Sequence, residues 1–352
     1  MRIKKSSVLV IFLLVIIFVI SIVMSINAEE KPIVLTFAEY KTPPDLMGKN
    51  LLIFQEELEK STNGKVQIEI YWGGSLLKGK EILKGVEDGI ADMGDVNPNY
   101  YPNQLPIGGV FNVLPRGPLN YLQQVEVYER TMEEIPAWKD EFLARNQIPL
   151  FCYTQDGKVI SSIKPMKSLG DLKNRKMRAA SRWLIEMMAG AGATPVSVPW
   201  ADCFMALQTG MIDGVLTNLS STYSGKLYEP AKHILLVPEL WSKPAFFHTI
   251  NIGVWNNLSE EIQGQIMEAY VATRARFDVL YYEDEVTAVN GMKEAGCTVN
   301  TMSKEDMEEW FTLPVVDEIQ AKWVNEMKEQ GMEDAQEILD KIKGIVDDVL
   351  DM

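Results

Sequence analysis

Two different spacings of apolar residues alternate along the chain. The segment "KVQIEIYW" sets Val66, Ile68 and Ile70 against the polar Gln67 and Glu69, which predicts a half-buried strand. The preceding segment "DLMGKNLLIFQEELEKSTNG" has helical spacing, and its final Asn-Gly pair predicts the end of a helix. Strand and helix patterns go on alternating to about residue 218. This alternation predicts an α/β fold with helices on the faces of its sheets.

One helix-to-strand pattern occurs twice, about 120 residues apart. In both copies a helical stretch reaches a Gly, an Asp follows three residues later, and an Asn follows five residues after that. The matched residues are Gly89, Asp92 and Asn97 in the first copy and Gly210, Asp213 and Asn218 in the second. The Gly and the Asp are typical of a helix end and a turn in any α/β fold. The Asn residues would lie at sheet ends, where open α/β sheets bind ligands, so two facing lobes would share one cleft.

From Ser259 onward the spacing of apolar residues is helical. Ser259 is a predicted helix N-cap, and Glu260 and Glu261 beside it are favourable at the positive end of a helix. Neither Gly nor Pro interrupts residues 265–290, so this helix should extend for roughly 40 Å. A helix of that length can brace two small lobes.

The repeat and the long helix together predict a two-lobed α/β fold. We expect a hinge, a ligand cleft between the lobes and a long helix that braces both. Lobe I is predicted to contain residues 29–155 and about 244–280. Lobe II is predicted to contain residues 156–243 and about 281–352, which include the C-terminal helices.

Residues 1–28 are a predicted export signal. A basic start precedes an apolar run from Val8 to Ile26, and Ala28 is small enough for a cleavage site. The run is also long enough to span a bilayer, so an uncleaved N-terminal anchor is the alternative. In both cases the remaining chain should face the outside of the cytoplasmic membrane, in the periplasm or on the outer membrane face.

The charge and the cysteines exclude several classes of function. The chain has 49 Asp and Glu residues against 34 Lys and Arg, and its net charge is −15. Such a chain offers no basic stripe for phosphates, which argues against nucleic-acid binding. Cys152, Cys203 and Cys297 are odd in number and widely spaced, which predicts three buried thiols in place of a disulfide or metal site.

Catalytic sequence motifs are missing from the chain. His233 and His248 are the only histidines, and neither has a close carboxylate or Cys partner in sequence. We find no nucleophile elbow, dinucleotide fingerprint or phosphate-cradling loop. These absences favour a binding protein that needs no cofactor. An exported hydrolase with an unrecognised site is the alternative from another class.

Arg178 is the strongest candidate for a ligand contact. It lies in "LKNRKMRAAS", where Met177 and the following alanines predict a partly buried strand. Because burying an unpaired charge is costly, a buried arginine needs a partner. The planar guanidinium suits a carboxylate held through two parallel hydrogen bonds. That carboxylate could belong to a ligand or to an Asp or Glu of the protein itself.

Several segments resemble the solute-binding proteins of TRAP transporters, the tripartite ATP-independent periplasmic class, of the dicarboxylate-binding (DctP-like) type. In the second half these segments are "DLKNRKMRAA", "GATPVSV", "ALQTGMIDGVLTN" and "GKLYE". In the first half, "GSLLKGKEILKGVEDGIADMGDVNPNYYP" is similar to the family's first-lobe segment. The resemblance covers essentially the whole chain after the export signal, and it implies that the two lobes have a periplasmic-binding-protein-like fold.

The resemblance implies which residues of the second half line the cleft. Arg178 takes the place of the family's carboxylate-clamping arginine, and Trp200 that of an aromatic residue in the cleft wall. The family's cleft Asn falls on Thr217 without gaps, whereas the internal repeat favours Asn218. Lys158 replaces a second arginine of many relatives. A single ammonium is not a planar fork, so we expect an organic acid but not specifically sialic acid or a dicarboxylate.

The resemblance also implies contacts from elsewhere in the chain. Asn97, Tyr40 and Tyr100 are expected on the first-lobe wall. Phe247 and His248 lie on a segment that often contributes a contact, although core packing explains each of them equally well.

The predicted function is that of an extracytoplasmic receptor that closes on a small organic acid. By resemblance, it hands the acid to the small and large integral-membrane subunits of a sodium-coupled TRAP importer. A receptor for an ATP-driven importer, or a sensor protein, would keep the binding role and change only the partner.

Overall fold

The computed structural model describes residues 31–352, so the predicted export signal lies outside the described residues. The chain forms two sheets, each covered by helices. The strands are β1 (Ile33–Ala38), β2 (Val66–Tyr71), β3 (Met93–Val96), β4 (Gln147–Tyr153), β5 (Lys158–Ser162), β6 (Lys176–Arg178), β7 (Thr194–Pro195), β8 (Gly214–Asn218), β9 (His233–Val237), β10 (Phe246–Asn251) and β11 (Thr298–Thr301).

The helices are α1 (Leu46–Ser61), α2 (Ile82–Glu87), α3 (Tyr121–Glu134), α4 (Pro136–Leu143), α5 (Arg182–Gly190), α6 (Cys203–Gln208), α7 (Leu219–Ser224), α8 (Ile252–Asn256), α9 (Glu260–Glu294), α10 (Lys304–Phe311), α11 (Pro314–Glu329) and α12 (Ala335–Leu350). Short 3₁₀ turns join several of them.

Both sheets are built on one plan. The lobe I sheet has the order β2-β1-β3-β10-β4, and the lobe II sheet has the order β7-β6-β8-β5-β9-β11. In each, three parallel strands are followed by one antiparallel strand, β10 in lobe I and β5 in lobe II. That antiparallel strand is the first one that the chain forms after crossing from the other lobe. The predicted two-lobed α/β fold is confirmed.

The repeated Gly and Asp have structural roles in both lobes. Gly89 and Gly210 end their helices with φ angles of 75° and 69°, which a residue with a side chain rarely adopts. Asp92 accepts a 2.7 Å hydrogen bond from the backbone N–H of Thr36. Asp213 likewise accepts a 2.9 Å bond from the N–H of Lys176. Each carboxylate therefore links a neighbouring parallel strand to the start of the strand that directly follows the Asp. The prediction gave the Asp a role only in a local turn, whereas these hydrogen bonds join distant segments of the chain.

Helix α9 braces both lobes, as predicted. Ser259 caps it by accepting a hydrogen bond from the N–H of Ile262. Along its 35 residues α9 packs against α1 in lobe I and against α7 and β11 in lobe II. In lobe I its Tyr270 stacks on Phe54 of α1, with ring centroids 3.9 Å apart. Among residues 31–352 no helix is both long enough and apolar enough to cross a membrane.

Some predicted elements are shorter or interrupted. The sequence of residues 123–146 predicts one helix, but the segment forms two helices, because Pro136 has no backbone N–H and Ile135 before it leaves the helical conformation. The alternating apolar residues of "TPVSVP" predict a strand over the whole segment, but only the two residues of β7 form one. At the C-terminus α11 packs on α5 and α12 packs on α3, so these helices contact both halves. The predicted division of the chain into lobes stays a prediction.

Candidate functional site

The lobe II sheet brings several predicted residues to one edge. Arg178 is the last residue of β6 and Asn218 the last residue of β8. Lys158 begins the antiparallel β5 and lies directly opposite Asn218. Because β6 and β8 are parallel, their carboxyl ends lie at the same edge of the sheet, which is where α/β sheets bind ligands.

Arg178 is buried and only partly satisfied. Its residue is 6% exposed, and its Nε donates a 3.1 Å hydrogen bond to the carbonyl oxygen of Val198. Its Nη1 is buried without a hydrogen-bond partner, and within residues 31–352 no carboxylate forms an ion pair with it. Within the described residues, Arg178 therefore has no Asp or Glu partner, which was the alternative to a ligand carboxylate. A buried guanidinium in this state is suited to an external anion.

Trp200 stands between cationic groups of the two lobes. It opens a 3₁₀ turn before α6, and it is 37% exposed. The guanidinium carbon of Arg178 lies 5.8 Å from its ring centroid, and Nζ of Lys41 from lobe I lies 5.7 Å away. Both distances allow cation–π attraction. Trp200 and Arg178 therefore lie side by side at the junction of the lobes.

Lys158 is a second buried cation near this edge. It is 5% exposed, and its ammonium group forms no ion pair with any carboxylate of the described chain. Burial lowers the pKa of Lys158 to about 7, and the nearby charge of Lys243 acts in the same direction. Asp156 opposes this shift and Arg178 adds to it. A carboxylate bound beside Lys158 would raise its pKa again.

The side chain of Asn218 is held by internal partners. Its Nδ2 donates 2.8 Å hydrogen bonds to Asp156 and to the hydroxyl of Ser220, and its Oδ1 accepts from the Thr217 hydroxyl at 3.3 Å. Asp156 also accepts from the backbone N–H of Ser220. This network fixes the end of β8 to the start of β5. Thr217 is half-buried and precedes Asn218 in β8. A ligand contact from Thr217 or from Asn218 stays a prediction.

A polar contact joins the three chain segments that connect the lobes. Lys243, between β9 and β10, donates a 3.1 Å hydrogen bond to the hydroxyl of Tyr281 in α9. That hydroxyl donates a 3.0 Å bond to the carbonyl oxygen of Gln155, between β4 and β5. Burial lowers the pKa of Lys243 to about 8. The hinge is thus held by one buried cluster that sequence reasoning missed.

The predicted first-lobe residues form a half-buried aromatic wall. Tyr40 and Tyr100 make an edge-to-face pair with ring centroids 5.6 Å apart. Asn97 is buried, and its Oδ1 accepts a 3.0 Å hydrogen bond from the N–H of Asn99, which shapes the turn after β3. Lys41, which follows Tyr40, reaches Trp200 of lobe II and so joins this wall to Arg178.

Sequence reasoning missed the acidic residues of the first lobe. Glu39 and Asp95 are fully buried at the carboxyl ends of β1 and β3. Asp45 is the N-cap of α1, and it accepts a 3.1 Å hydrogen bond from the hydroxyl of Ser221 in lobe II. The available signal was an acidic residue at the carboxyl end of a largely apolar strand, directly after β1 in "LTFAEYK" and within β3 in "IADMGDV".

Phe247 and His248 lie in the core of lobe I. Phe247 packs between Trp138 and Phe142, with ring centroids 5.4 and 4.9 Å away. His248 is surrounded by aromatic rings, including Phe37 at 5.0 Å, and burial lowers its pKa to about 3. Apolar packing explains both positions, so we leave them out of the proposed site.

The remaining chemical candidates are inert. Cys152, Cys203 and Cys297 are free and buried, which confirms the prediction of three buried thiols. In the part of the chain that the structure describes, no three His, Cys, Asp or Glu side chains cluster in a way that could hold a metal ion.

Comparison with known proteins gives a consistent result. The family described as "Bacterial extracellular solute-binding protein, family 7" (DctP) matches residues 37–323. The C4-dicarboxylate-binding periplasmic protein DctP of Rhodobacter capsulatus is 26% identical over 308 residues, which cover 85% of this chain and 90% of that protein. The ectoine-binding periplasmic protein TeaA of Halomonas elongata is 24% identical over 294 residues, 80% of this chain and 81% of TeaA.

The fold is also that of solved structures. The crystal structure of a TRAP solute binding protein from Rhodoferax ferrireducens, in complex with copurified benzoate, superposes with a TM-score of 0.79. It is 20% identical in sequence, and the match covers 91% of this chain and 99% of that one. At this identity the likeness supports the fold alone.

Proposed function

The chain belongs to family 7 of the bacterial extracellular solute-binding proteins, and on that premise we propose that it clamps the carboxylate of a small organic acid with Arg178. It is a TRAP-type solute receptor that works outside the cytoplasm, and it is not an enzyme. The proposal concerns the residues that hold the solute, the class of solute and the membrane partners.

The observation that carries the proposal is the unpaired state of a buried cation. Arg178 is 6% exposed, its Nη1 has no partner, and the described residues supply it with no carboxylate. A charge-assisted hydrogen bond contributes about 1.5–3 kcal/mol, and a micromolar affinity needs about 8 kcal/mol. Two such bonds from one guanidinium would supply much of that. They would also have to outweigh the long-range repulsion of an anion by a chain of net charge −15.

Lys158 and Trp200 complete the proposed lobe II side of the site. The ammonium of Lys158 would meet a second oxygen of the carboxylate or another acceptor on the ligand. The half-exposed ring of Trp200, beside Arg178, would cover an apolar part of the ligand. Tyr40, Tyr100 and, less directly, Asn97 would close over it from lobe I.

An organic acid also fits the names of the relatives. One is named for C4-dicarboxylates, and one solved structure holds copurified benzoate. Both are small molecules with a carboxylate, although their bodies differ greatly. We therefore propose the carboxylate as the shared group and Arg178 as its receptor in this chain.

We further propose that the receptor delivers its acid to integral-membrane TRAP subunits. Proteins of this family work with membrane transporter components. The proposal includes a small and a large membrane subunit and the coupling of import to sodium. It also includes a cleaved signal or an N-terminal anchor at residues 1–28. Release on the outer face of the membrane would require the lobes to open, which the hinge between them permits.

A matched panel of ligands tests the proposed function. The wild-type protein is heated with benzoate, succinate and pyroglutamate, and in parallel with the corresponding neutral amides. We expect at least one acid to raise the melting temperature and its amide to have no effect, because the guanidinium recognises the anion. Mass spectrometry of the acid released from purified protein would give its formula. Equal stabilisation by an acid and its amide would contradict the proposal.

A further inference from the structure

A cavity of about 320 Å³ lies at the hinge, between α9 and the lobe II sheet. Its wall contains residues of all three segments that connect the lobes: Gly157 between β4 and β5, Pro238 between β9 and β10, and residues 285–290 of α9. Neither Arg178 nor Trp200 is among the described residues that line it. This hinge cavity is therefore a space separate from the proposed carboxylate contact.

The hinge cavity lies on the α9 side of the lobe II sheet. Val159 lines the cavity and packs in one apolar cluster with Leu219 of α7 and Ala288 of α9. Lys158, the residue before Val159, also borders the cavity. Because successive side chains of a strand point to opposite faces, the ammonium group of Lys158 lies on the other face, where the charge of Arg178 acts on it. Strand β5 therefore separates the two sites and is common to both.

The wall of the hinge cavity is mostly apolar. Val159 and Leu219 are 1% and 4% exposed, whereas Val286, which also lines the cavity, is 61% exposed. Leu236 and Val289 are half-buried and complete the apolar wall. Small-molecule sites are concave and mostly apolar, and a dry cavity of about 150 Å³ already holds benzene. The hinge cavity therefore has room for a six-membered ring and a short arm.

One carboxylate of the wall lacks a counter-charge. The Oε1 of Glu285 accepts a 3.0 Å hydrogen bond from the backbone N–H of Gly157, and its other oxygen accepts none from the described residues. Within residues 31–352 no Lys or Arg forms an ion pair with Glu285. The ammonium group of Lys243, whose pKa is affected by Glu285, donates to Tyr281 instead. Glu285, in a chain of net charge −15, would therefore attract a cation.

The position of the hinge cavity couples its occupant to lobe closure. Gly157, Pro238 and α9 belong to the three connecting segments, and closure of a hinge changes the backbone angles of such segments. The shape of the cavity therefore differs between the open and the closed form. A molecule that fits one form better shifts the equilibrium toward it. By linkage, this molecule and the acid in the cleft change each other's affinity by the same factor.

We propose that the hinge cavity is a second ligand site, which takes a small organic cation with an apolar body and couples its binding to closure of the cleft. The ammonium group donates to the free oxygen of Glu285, and the apolar body lies against Val159, Leu219 and Val289. The ligand class is a primary amine that carries a ring. Only the coupling rests on the proposed function, because the binding of the amine does not use Arg178.

Three probes test the hinge cavity by calorimetry. Phenethylamine has the ring and the charge, 2-phenylethanol has the ring alone, and ethylamine has the charge alone. We expect phenethylamine to bind the wild type at least about tenfold tighter than either, the effect of one charge-assisted hydrogen bond or of one buried ring. In Glu285→Gln its advantage over 2-phenylethanol should fall to about one. Glu283→Gln, which changes an exposed acid of the same helix, should keep the advantage.

A cavity-filling variant separates the hinge cavity from the cleft. Val289→Phe should abolish binding of phenethylamine, whereas Val279→Phe, at an exposed position of α9 outside the cavity, should bind it like the wild type. If Val289→Phe does not fold, Asn290→Trp takes its place, because Asn290 lines the cavity and is exposed. Arg178→Ala should bind phenethylamine like the wild type. Binding that survives the filled cavity, or that is lost in Arg178→Ala, would overturn the proposed site.

The coupling is measured with both ligands present. Saturating phenethylamine should change the affinity for the tightest acid of the panel at least about fivefold, and the acid should change the affinity for phenethylamine by the same factor. An unchanged affinity would overturn the coupling. If no acid binds, the proposed function fails, and X-ray scattering with and without phenethylamine then tests the coupling, which an unchanged radius of gyration would overturn. A wild type that does not prefer phenethylamine to 2-phenylethanol would overturn the site itself.

Discussion

At the scale of single residues, charge state decides what this cleft can bind. A guanidinium group remains charged over the whole pH range in which proteins are stable, so it offers a carboxylate a permanent cation. Lys158 differs, because burial lowers its pKa to about 7 and leaves it only partly charged in neutral solution. The two cations of lobe II should therefore be distinguishable by titration.

For Lys158 we predict an affinity that depends on pH. A bound carboxylate raises the pKa of Lys158 above the value of about 7 in the free protein, so binding takes up a proton at higher pH. Affinity should be greatest below about pH 7 and should fall as the pH rises from there toward the higher pKa of the complex. Calorimetry with the tightest acid of the panel measures this slope.

Lys158→Arg is the matched variant for that slope. An arginine remains charged, so the decline above about pH 7 should disappear while binding persists. An unchanged slope in Lys158→Arg would assign the titration to another group, such as Asp156, whose pKa is also raised to about 7 by burial.

At the scale of elements, the repeated Asp residues hold the sheets together. Asp92 accepts two hydrogen bonds from Thr36, from the backbone N–H at 2.7 Å and from the hydroxyl at 2.8 Å. Both bonds join the interior strand β1 to the segment that enters β3, the middle strand of the sheet. The stability of lobe I should therefore depend on a residue far from the proposed ligand contacts.

We expect Asp92→Ala to lower the free energy of unfolding by about 2–3 kcal/mol, because hydrogen bonds to a charged group contribute about 1.5–3 kcal/mol and this site is partly exposed. Asp88→Ala is the matched control, since Asp88 lies at the exposed end of α2 and its carboxylate pairs with the exposed Lys84. Urea denaturation measures both variants. Equal stability of the two would contradict this role for Asp92.

The elements that sequence could predict are those whose signal is local. Alternating apolar and polar residues located β2, and an Asn-Gly pair located the end of α1, where Asn63 and Gly64 have φ angles of 49° and 75°. Strands β5, β9 and β11 were not predicted, because β5 is buried throughout and none of the three alternates between buried and exposed residues. The break at Pro136 was overlooked, although the residue itself was a sufficient signal.

The residues of the site also divide into those that the sequence could predict and those that it could not. Arg178 could be predicted because a cation within an apolar strand is unusual, and the family resemblance then gave it a role. Glu39 and Asp95 could not, since whether a buried acid has a partner depends on contacts between distant segments. Phe247 and His248 show the opposite problem, because residues of a strand near the cleft can point into the core.

At the scale of the whole molecule, contacts between the lobes should be coupled to binding. The hydroxyl of Ser221 in lobe II donates to Asp45 at the N-terminus of α1 in lobe I. A contact that exists only when the lobes are together stabilises the closed form, and ligand binding draws on that stabilisation.

We predict that Ser221→Ala weakens ligand binding about tenfold, which corresponds to the lower end of the roughly 1.5–3 kcal/mol that a hydrogen bond to a charged acceptor contributes, with little change in the unliganded melting temperature. Ser224→Ala, at an exposed position of the same helix, should bind like the wild type. Calorimetry gives the affinities, and X-ray scattering reports whether ligand still reduces the radius of gyration. An unaffected affinity in Ser221→Ala would mean that this contact is also present in the open form.

The central claim is that one buried guanidinium is reserved for the ligand's carboxylate. The direct measurement is calorimetric titration of Arg178→Ala with the tightest acid of the panel, beside Arg182→Ala, a surface arginine of α5 that pairs with Glu326. The account predicts that binding is lost in Arg178→Ala and kept in Arg182→Ala, while both unliganded proteins melt near the wild-type temperature. Retained binding in Arg178→Ala, or a large fall in its unliganded melting temperature, would contradict the claim.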